Sequence, residues 1–125
     1  MLLNTIYKII NNMSDKLTIF QKPTCSKCRA TLAILKDSGK DFDSVNYYET
    51  PLTHEKLREL VHKLNLPLRD LLRKDEPLAR DLGSVSDEEL IKAMVDNPDL
   101  IQRPIVVRGH EARICRPPEN VNELL

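Results

Sequence analysis

Apolar residues along this chain change their spacing several times, and each change marks an element. Leu17-Thr18-Ile19-Phe20 is a short β-prone run that ends at Gln21-Lys22-Pro23. From about Ser26 to Lys36 the spacing turns helical. Cys28, Leu32 and Leu35 fall on one face with Ala33 nearby, and Gly39 suits the position just past the helix end. Asp43–Tyr48 reads as a second strand, closed by Thr50-Pro51. Strand, helix and strand in this order predict a right-handed crossover between two parallel strands.

The middle of the chain predicts helices. Thr53 can cap one that carries Leu57, Leu60, Val61 and Leu64 at i, i+3, i+4 and i+7. Leu66-Pro67 separates it from a short helical piece over Leu68–Lys74. Ser86-Asp87-Glu88-Glu89 has the pattern of a capping box, and the helix behind it presents Leu90, Ile91, Met94 and Val95 before stopping near Asn97-Pro98. Pro104–Val107 is then a strong strand, Gly109-His110 a turn, and Ala112–Cys115 a returning strand, which together predict a hairpin. Pro117-Pro118 breaks the chain before a closing helix over Glu119–Leu125. The periodicity therefore predicts an α/β fold: βαβ, a helical block over about residues 52–100, a β-hairpin and a final helix.

Composition narrows the class. A chain of 125 residues can bury a core as one domain without disulfide staples. Lys plus Arg equals Asp plus Glu, at 19 each, so there is no electrostatic footprint for nucleic acid or a polybasic membrane contact. Three Tyr, two Phe and no Trp give little material for base stacking. No apolar run approaches the roughly 20 residues of a membrane span, and the N-terminus lacks a basic segment and a small-residue cleavage site. The expectation is a cytoplasmic protein without nucleic-acid or membrane partners. Met13-Ser14-Asp15-Lys16 looks like a start directly ahead of a strand. Residues 1–12 are accordingly expected to be an N-terminal extension of a domain over 13–125, the alternative being a short surface helix.

The chemistry begins at Cys25-Ser26-Lys27-Cys28. This C-x-x-C lies where the first strand meets the first helix. A cysteine there faces unsatisfied backbone N–H groups and the positive end of the helix dipole, both of which favour the nucleophilic thiolate. Lys27 and Arg29 add positive charge nearby. Two inert structural cysteines, or half of a zinc site, are the alternatives. A closed zinc site needs four ligands, and only Cys115, His54, His62 and His110 remain, without a second paired motif. His54 and His62 sit among charged residues on the predicted helix and read as solvated, and His110 lies in the predicted hairpin turn. Cys115 reads as a packing residue on its strand. Arg73, Arg103 and Arg116 are the other signal. A planar guanidinium gives an oxyanion two parallel hydrogen bonds and keeps its charge at any working pH, although most arginines are simply solvated.

Taken together, Pro23-Thr24-Cys25-x-x-Cys28-Arg29, Tyr48-Glu49-Thr50-Pro51, Leu71-Leu72-Arg73-Lys74, Arg103-Pro104-Ile105-Val106-Val107 and Arg113-Ile114-Cys115-Arg116-Pro117 resemble the glutaredoxin-coupled arsenate reductase family over residues 17–125. The resemblance implies a thioredoxin/glutaredoxin-like fold with a helical insertion between its βαβ and ββα halves. It implies Cys25 as nucleophile and Arg73, Arg103 and Arg116 as oxyanion-binding residues, with Arg29, Cys28 and Pro104 in support. It implies a cis peptide at Arg103-Pro104. It further implies arsenate reduction with glutathione as co-substrate and glutaredoxin as partner, with no metal and no bound cofactor. Two positions depart from the family pattern. Gln21-Lys22-Pro23 stands where many members have His-Asn-Pro, so Lys22 or the helix terminus must supply what the histidine would. Cys28 stands where members often have Ser. A C-x-x-C here also resembles the Spx-type regulators, which bind a protein partner, but Cys115-Arg116-Pro117 is similar to the reductases. A redox-sensing regulator and a general thiol-disulfide reductase are thus the alternatives.

Overall fold

A computed structural model of the chain describes residues 16–125; the expectation for residues 1–12 lies outside the described residues. The regular elements are β1 (Leu17–Gln21), α1 (Ser26–Asp37), β2 (Phe42–Asn46), α2 (His54–Leu64), α3 (Asp87–Asp96), β3 (Ile105–Arg108) and β4 (Glu111–Ile114). Short 3-10 turns lie between α2 and β3, and another over Pro118–Leu124 ends the chain.

The four strands form one sheet in the order β2-β1-β3-β4. β1 runs parallel to β2, with Leu17 opposite Phe42, and antiparallel to β3, with Phe20 opposite Ile105; β3 and β4 are the antiparallel hairpin. Strand alternation divides the core into two layers. Leu17, Ile19 and Val106 face α1 and the C-terminal 3-10 turn, where Leu35, Cys115, Val121 and Leu124 are buried. Phe20, Ile105 and Val107 face α2 and α3, where Leu57, Leu60, Leu90 and Met94 are buried. This is the expected thioredoxin-like arrangement, with α2 and α3 in the segment that joins the two halves.

Local chemistry accounts for the helix ends. Thr53 Oγ1 accepts from Lys56 N at 3.0 Å, and Ser86 Oγ accepts from Glu89 N at 3.2 Å, so both predicted caps form. Gly39, at φ +74°, takes the left-handed turn after α1 that a side chain would resist. Asn65 does the same after α2 at φ 54°, a conformation asparagine tolerates better than most residues.

Three segments differ from expectation. The second strand ends at Asn46 instead of Tyr48. The Asn46 carbonyl accepts from Glu49 N and Thr50 N, and its side-chain oxygen accepts from Tyr48 N, which folds the tyrosines into a turn. The piece expected to be helical through Lys74 is a 3-10 turn over Leu68–Leu71 only. Leu72 then forms an antiparallel bridge with Ile101, and Arg73 N donates to Leu100 O at 2.7 Å, so Arg73 sits on extended backbone. The closing helix is a 3-10 turn that starts at Pro118, still burying Val121 and Leu124. The strand limits otherwise shift by about one residue. The Arg103–Pro104 peptide is cis as expected, and so is Arg116–Pro117.

Leu57 is fully buried between α2 and the sheet. Leu57→Ala is expected to destabilise the domain by about 2–5 kcal/mol, read as a lower urea midpoint with an unchanged slope.

Candidate active site

β1 ends at Gln21, and a turn closed by Cys25 N donating to Lys22 O at 3.0 Å delivers Cys25 to the residue just ahead of α1. Cys25 occupies the N-cap position, with extended backbone and no closed side-chain cap bond. Its sulfur is thereby left available at the end of the helix, half-buried. Burial pushes the Cys25 thiol up. Polar contacts outweigh that: the Cys28 backbone N–H and thiol, the Lys27 backbone N–H and the Arg103 guanidinium hold it below the ordinary cysteine value.

The other two cysteines behave in the opposite way. Cys28 is fully buried on the inner face of α1, and burial pushes it up to about 12, with the neighbouring Cys25 adding to the shift. Cys115 is equally buried behind β4 and also pushed up to about 12 by burial. One cysteine is therefore poised to ionise and two are held as thiols.

Arg103 lies just before β3, 8% exposed, with its guanidinium turned to the cysteine. Around it stand residues that the sequence analysis did not select for a role in the site. Arg103 Nη1 donates to the Tyr48 hydroxyl at 3.3 Å, and Tyr48 in turn donates to Asp99 Oδ1. Asp99 lies 3.9 Å from Arg103 Nη1 and 3.5 Å from Lys22 Nζ, which also rests 4.7 Å above the Tyr48 ring. Tyr47 is buried beside Tyr48, and burial pushes its phenol up to about 12 against the pull of Arg103. Among the described residues the Tyr47 hydroxyl and Arg103 Nε are buried polar atoms without a hydrogen-bond partner.

Arg73 and Arg116 line a neighbouring cavity of about 590 Å³, together with Lys74, Asp70, Asp75 and Gln102. They are tied to the segment that carries Arg103: Arg73 Nη1 donates to Asp99 O, and Arg116 Nη1 to Arg103 O, each at 3.3 Å. Arg73 also pairs with Glu76 at 3.3 Å. Of the three arginines, Arg103 acts on the Cys25 thiol, while Arg73 and Arg116 lie along the adjoining cavity. Arg29 is exposed on the first turn of α1, where its side chain has no partner among the described residues. Pro104 is buried and supports the neighbouring strand, its carbonyl accepting from Cys115 N at 2.9 Å. Gln21 turns to β2, where its amide donates to Ser44 Oγ. The helix terminus and Arg103, and not the residue at position 21, favour the thiolate.

The comparisons with known proteins agree on this region. A family model described as the ArsC family matches residues 20–124. The chain belongs to the ArsC family. Curated relatives of the ArsC-family chain include the YfgD protein of Escherichia coli K12, 45% identical over 90% of this chain and 99% of that protein. The arsenate reductase of Yersinia enterocolitica is 42% identical over 89% of this chain and 82% of its own length. A solved structure, the arsenate reductase from Vibrio cholerae, superposes with a TM-score of 0.84 at 39% identity, over 90% of this chain and 99% of that one. No helix among the described residues is long and apolar enough to cross a membrane, and none of their His, Cys, Asp and Glu side chains group as a metal site.

Tyr47, Tyr48 and Asp99 escaped the sequence analysis because the tyrosines read as the end of a strand and Asp99 lies just past the helix stop at Asn97-Pro98, where no element or motif drew notice to it. Two signals were available. Asn46 is a turn former directly ahead of the tyrosines, and Asp99 stands four residues before Arg103.

Alkylation tests the contrast among the cysteines. Native protein treated with iodoacetamide at neutral pH is expected to take a single label, on Cys25, by peptide mass spectrometry. Labelling of Cys28 or Cys115 at a comparable rate would contradict the placement described here.

Proposed function

We propose that this chain is an arsenate reductase in which Cys25 is the nucleophile. The observation that carries the reading is the electrostatic pairing of Cys25, half-buried at a helix N-terminus, with the Arg103 guanidinium, which together with the Cys28 and Lys27 backbone N–H groups holds the thiol below its ordinary value despite burial. That pairing offers a thiolate and an oxyanion donor at one point. The identity to arsenate reductases over most of the chain supports the choice of oxyanion.

In the first step the Cys25 thiolate attacks arsenic(V). A sulfur–arsenic bond forms, and one arsenic oxygen leaves as water after taking up protons. Arg103 offsets the negative charge that gathers on the remaining oxygens, with Arg73 and Arg116 drawing the anion in. A glutathione thiolate then attacks the Cys25 sulfur. The sulfur–sulfur bond forms as the sulfur–arsenic bond breaks, and the electron pair of that bond stays on arsenic, which leaves as arsenite. Two thiol sulfurs have been oxidised and arsenic reduced by two electrons. A glutaredoxin thiolate attacks the glutathione sulfur of the mixed disulfide and returns Cys25. The chain works in the cytoplasm and needs no bound cofactor.

One observation favours a second reading. The Cys28 thiol contacts the Cys25 sulfur across the first helical turn. That geometry suits an internal disulfide, as in a general thiol-disulfide reductase or a redox-sensing regulator. Against it, burial holds Cys28 as a thiol, so it is a poor attacking group.

Steady-state reduction of arsenate with glutathione and glutaredoxin separates the readings. Cys25→Ser is expected to fall to background with an unchanged melting temperature. Arg103→Gln is expected to lose about a hundredfold in kcat/KM. Cys28→Ser is expected to keep roughly half of the rate or more. A dead Cys28→Ser enzyme, with an abundant Cys25–Cys28 disulfide in the parent after one turnover, would move the chain to the dithiol reading.

A further inference from the structure

We infer that Asp99 is a specificity-determining residue: its carboxylate is a built-in anion at the mouth of the Cys25 site and sets how strongly the site takes an external oxyanion. The inference rests on the proposal that Cys25 and Arg103 receive an anion.

The geometry is that of a carboxylate standing among the groups an incoming anion would use. Asp99 Oδ1 is 3.5 Å from Lys22 Nζ and 3.9 Å from Arg103 Nη1, and accepts from the Tyr48 hydroxyl. The same Tyr48 hydroxyl accepts from Arg103 Nη1 at 3.3 Å, and Arg103 reaches Cys25. A chain of contacts thus runs from the nucleophile to the carboxylate through one guanidinium. Asp99 is held from its backbone as well, since its carbonyl accepts from Arg73 Nη1 at 3.3 Å. The side chain is 48% exposed, so the carboxylate lies at the entrance and is not sealed in the core.

Two consequences follow from charge alone. The carboxylate takes up part of the hydrogen-bonding capacity of Arg103 and Lys22, so an anion must share those donors or displace it. It also places a negative charge in the path of any anion that approaches Cys25, at a partly desolvated position where a single charge changes affinity by about three- to tenfold. A neutral reagent feels neither effect. Asp99 therefore lowers affinity for multiply charged oxyanions such as arsenate or phosphate and favours reagents of lower charge, leaving the nucleophile itself in place.

The experiment measures the alkylation of Cys25 by iodoacetate, an anion, against iodoacetamide, its neutral analogue. The same thiolate attacks the iodomethylene carbon of both, expelling iodide, so the ratio of rates reports the field felt by an incoming anion and cancels changes in thiolate content. Asp99→Asn preserves size and removes charge; it is expected to raise the iodoacetate-to-iodoacetamide ratio about three- to tenfold. In arsenate turnover it should lower KM by a similar factor while moving kcat much less. Tyr48→Phe removes an anchor of the carboxylate but keeps its charge. If Asp99 served only to position Tyr48 and Arg103, Tyr48→Phe would reproduce the effect of Asp99→Asn; the inference requires that it does not. An unchanged or lower ratio in Asp99→Asn, or the same rise in both variants, overturns the proposal. The ratio is read without arsenate turnover. A parent protein that never reduces arsenate would therefore sink the functional reading, while the alkylation ratio would still decide the role of Asp99.

Discussion

The electrostatic pairing of the Arg103 guanidinium with the Cys25 thiol is the interaction on which the site depends. A guanidinium with so little exposure is costly unless a counter-charge lies close by. A thiolate is the reactive form of cysteine but the minor one in water at neutral pH. Each group supplies what the other lacks: against its burial, Arg103 is raised by Tyr48 and Tyr47 and further by Cys25, and Arg103 is in turn one of the groups that lower Cys25. The backbone N–H groups of Lys27 and Cys28 add the polarity of the helix end. The pairing exists because the sheet order puts β3 beside β1. Residues at the end of β1 and at the entry to β3 become neighbours although nearly eighty positions separate them in sequence.

The surrounding groups adjust this pair and do not replace it. Tyr48 bridges Arg103 and Asp99, and Lys22 neutralises part of the Asp99 charge from the loop ahead of the cysteine. Arg73 and Arg116 reach the same segment through its backbone oxygens. The positive charges of Lys22, Arg103, Arg73 and Arg116 are therefore interleaved with the carboxylates of Asp99, Asp70, Asp75 and Glu76. Cys28 and Cys115, both deeply buried, are excluded from the thiolate chemistry chiefly by burial, to which Cys25 adds at Cys28.

Much of this was legible in the sequence because it rests on local rules. The Thr53 and Ser86 caps, the left-handed Gly39, the faces of α2 and α3 and the two-residue turn of the hairpin follow from residue type and spacing within a few positions. Cys25 was legible for the same reason, since a strand followed by C-x-x-C at a helix start defines its environment. The extended course after Leu71 was hidden, because the hydrogen bonds of Leu71 O and Arg73 N go to Gln102 and Leu100, far along the chain. Tyr47, Tyr48 and Asp99 were hidden too. The tyrosines act only after the Asn46 turn and the sheet order bring them to Arg103, and Asp99, though four residues before Arg103, takes its place through Tyr48 and Lys22, which lie far away in sequence.

The central claim is that Arg103 favours the thiolate of Cys25, and titration of thiolate ultraviolet absorbance tests it most directly. The parent protein and Arg103→Gln would be titrated side by side, with far-ultraviolet circular dichroism to show that both are folded. The account predicts a low-pH step from Cys25 in the parent and an upward shift of that step in Arg103→Gln. A step at the same pH in both folded proteins, or a lower one in the variant, would contradict it.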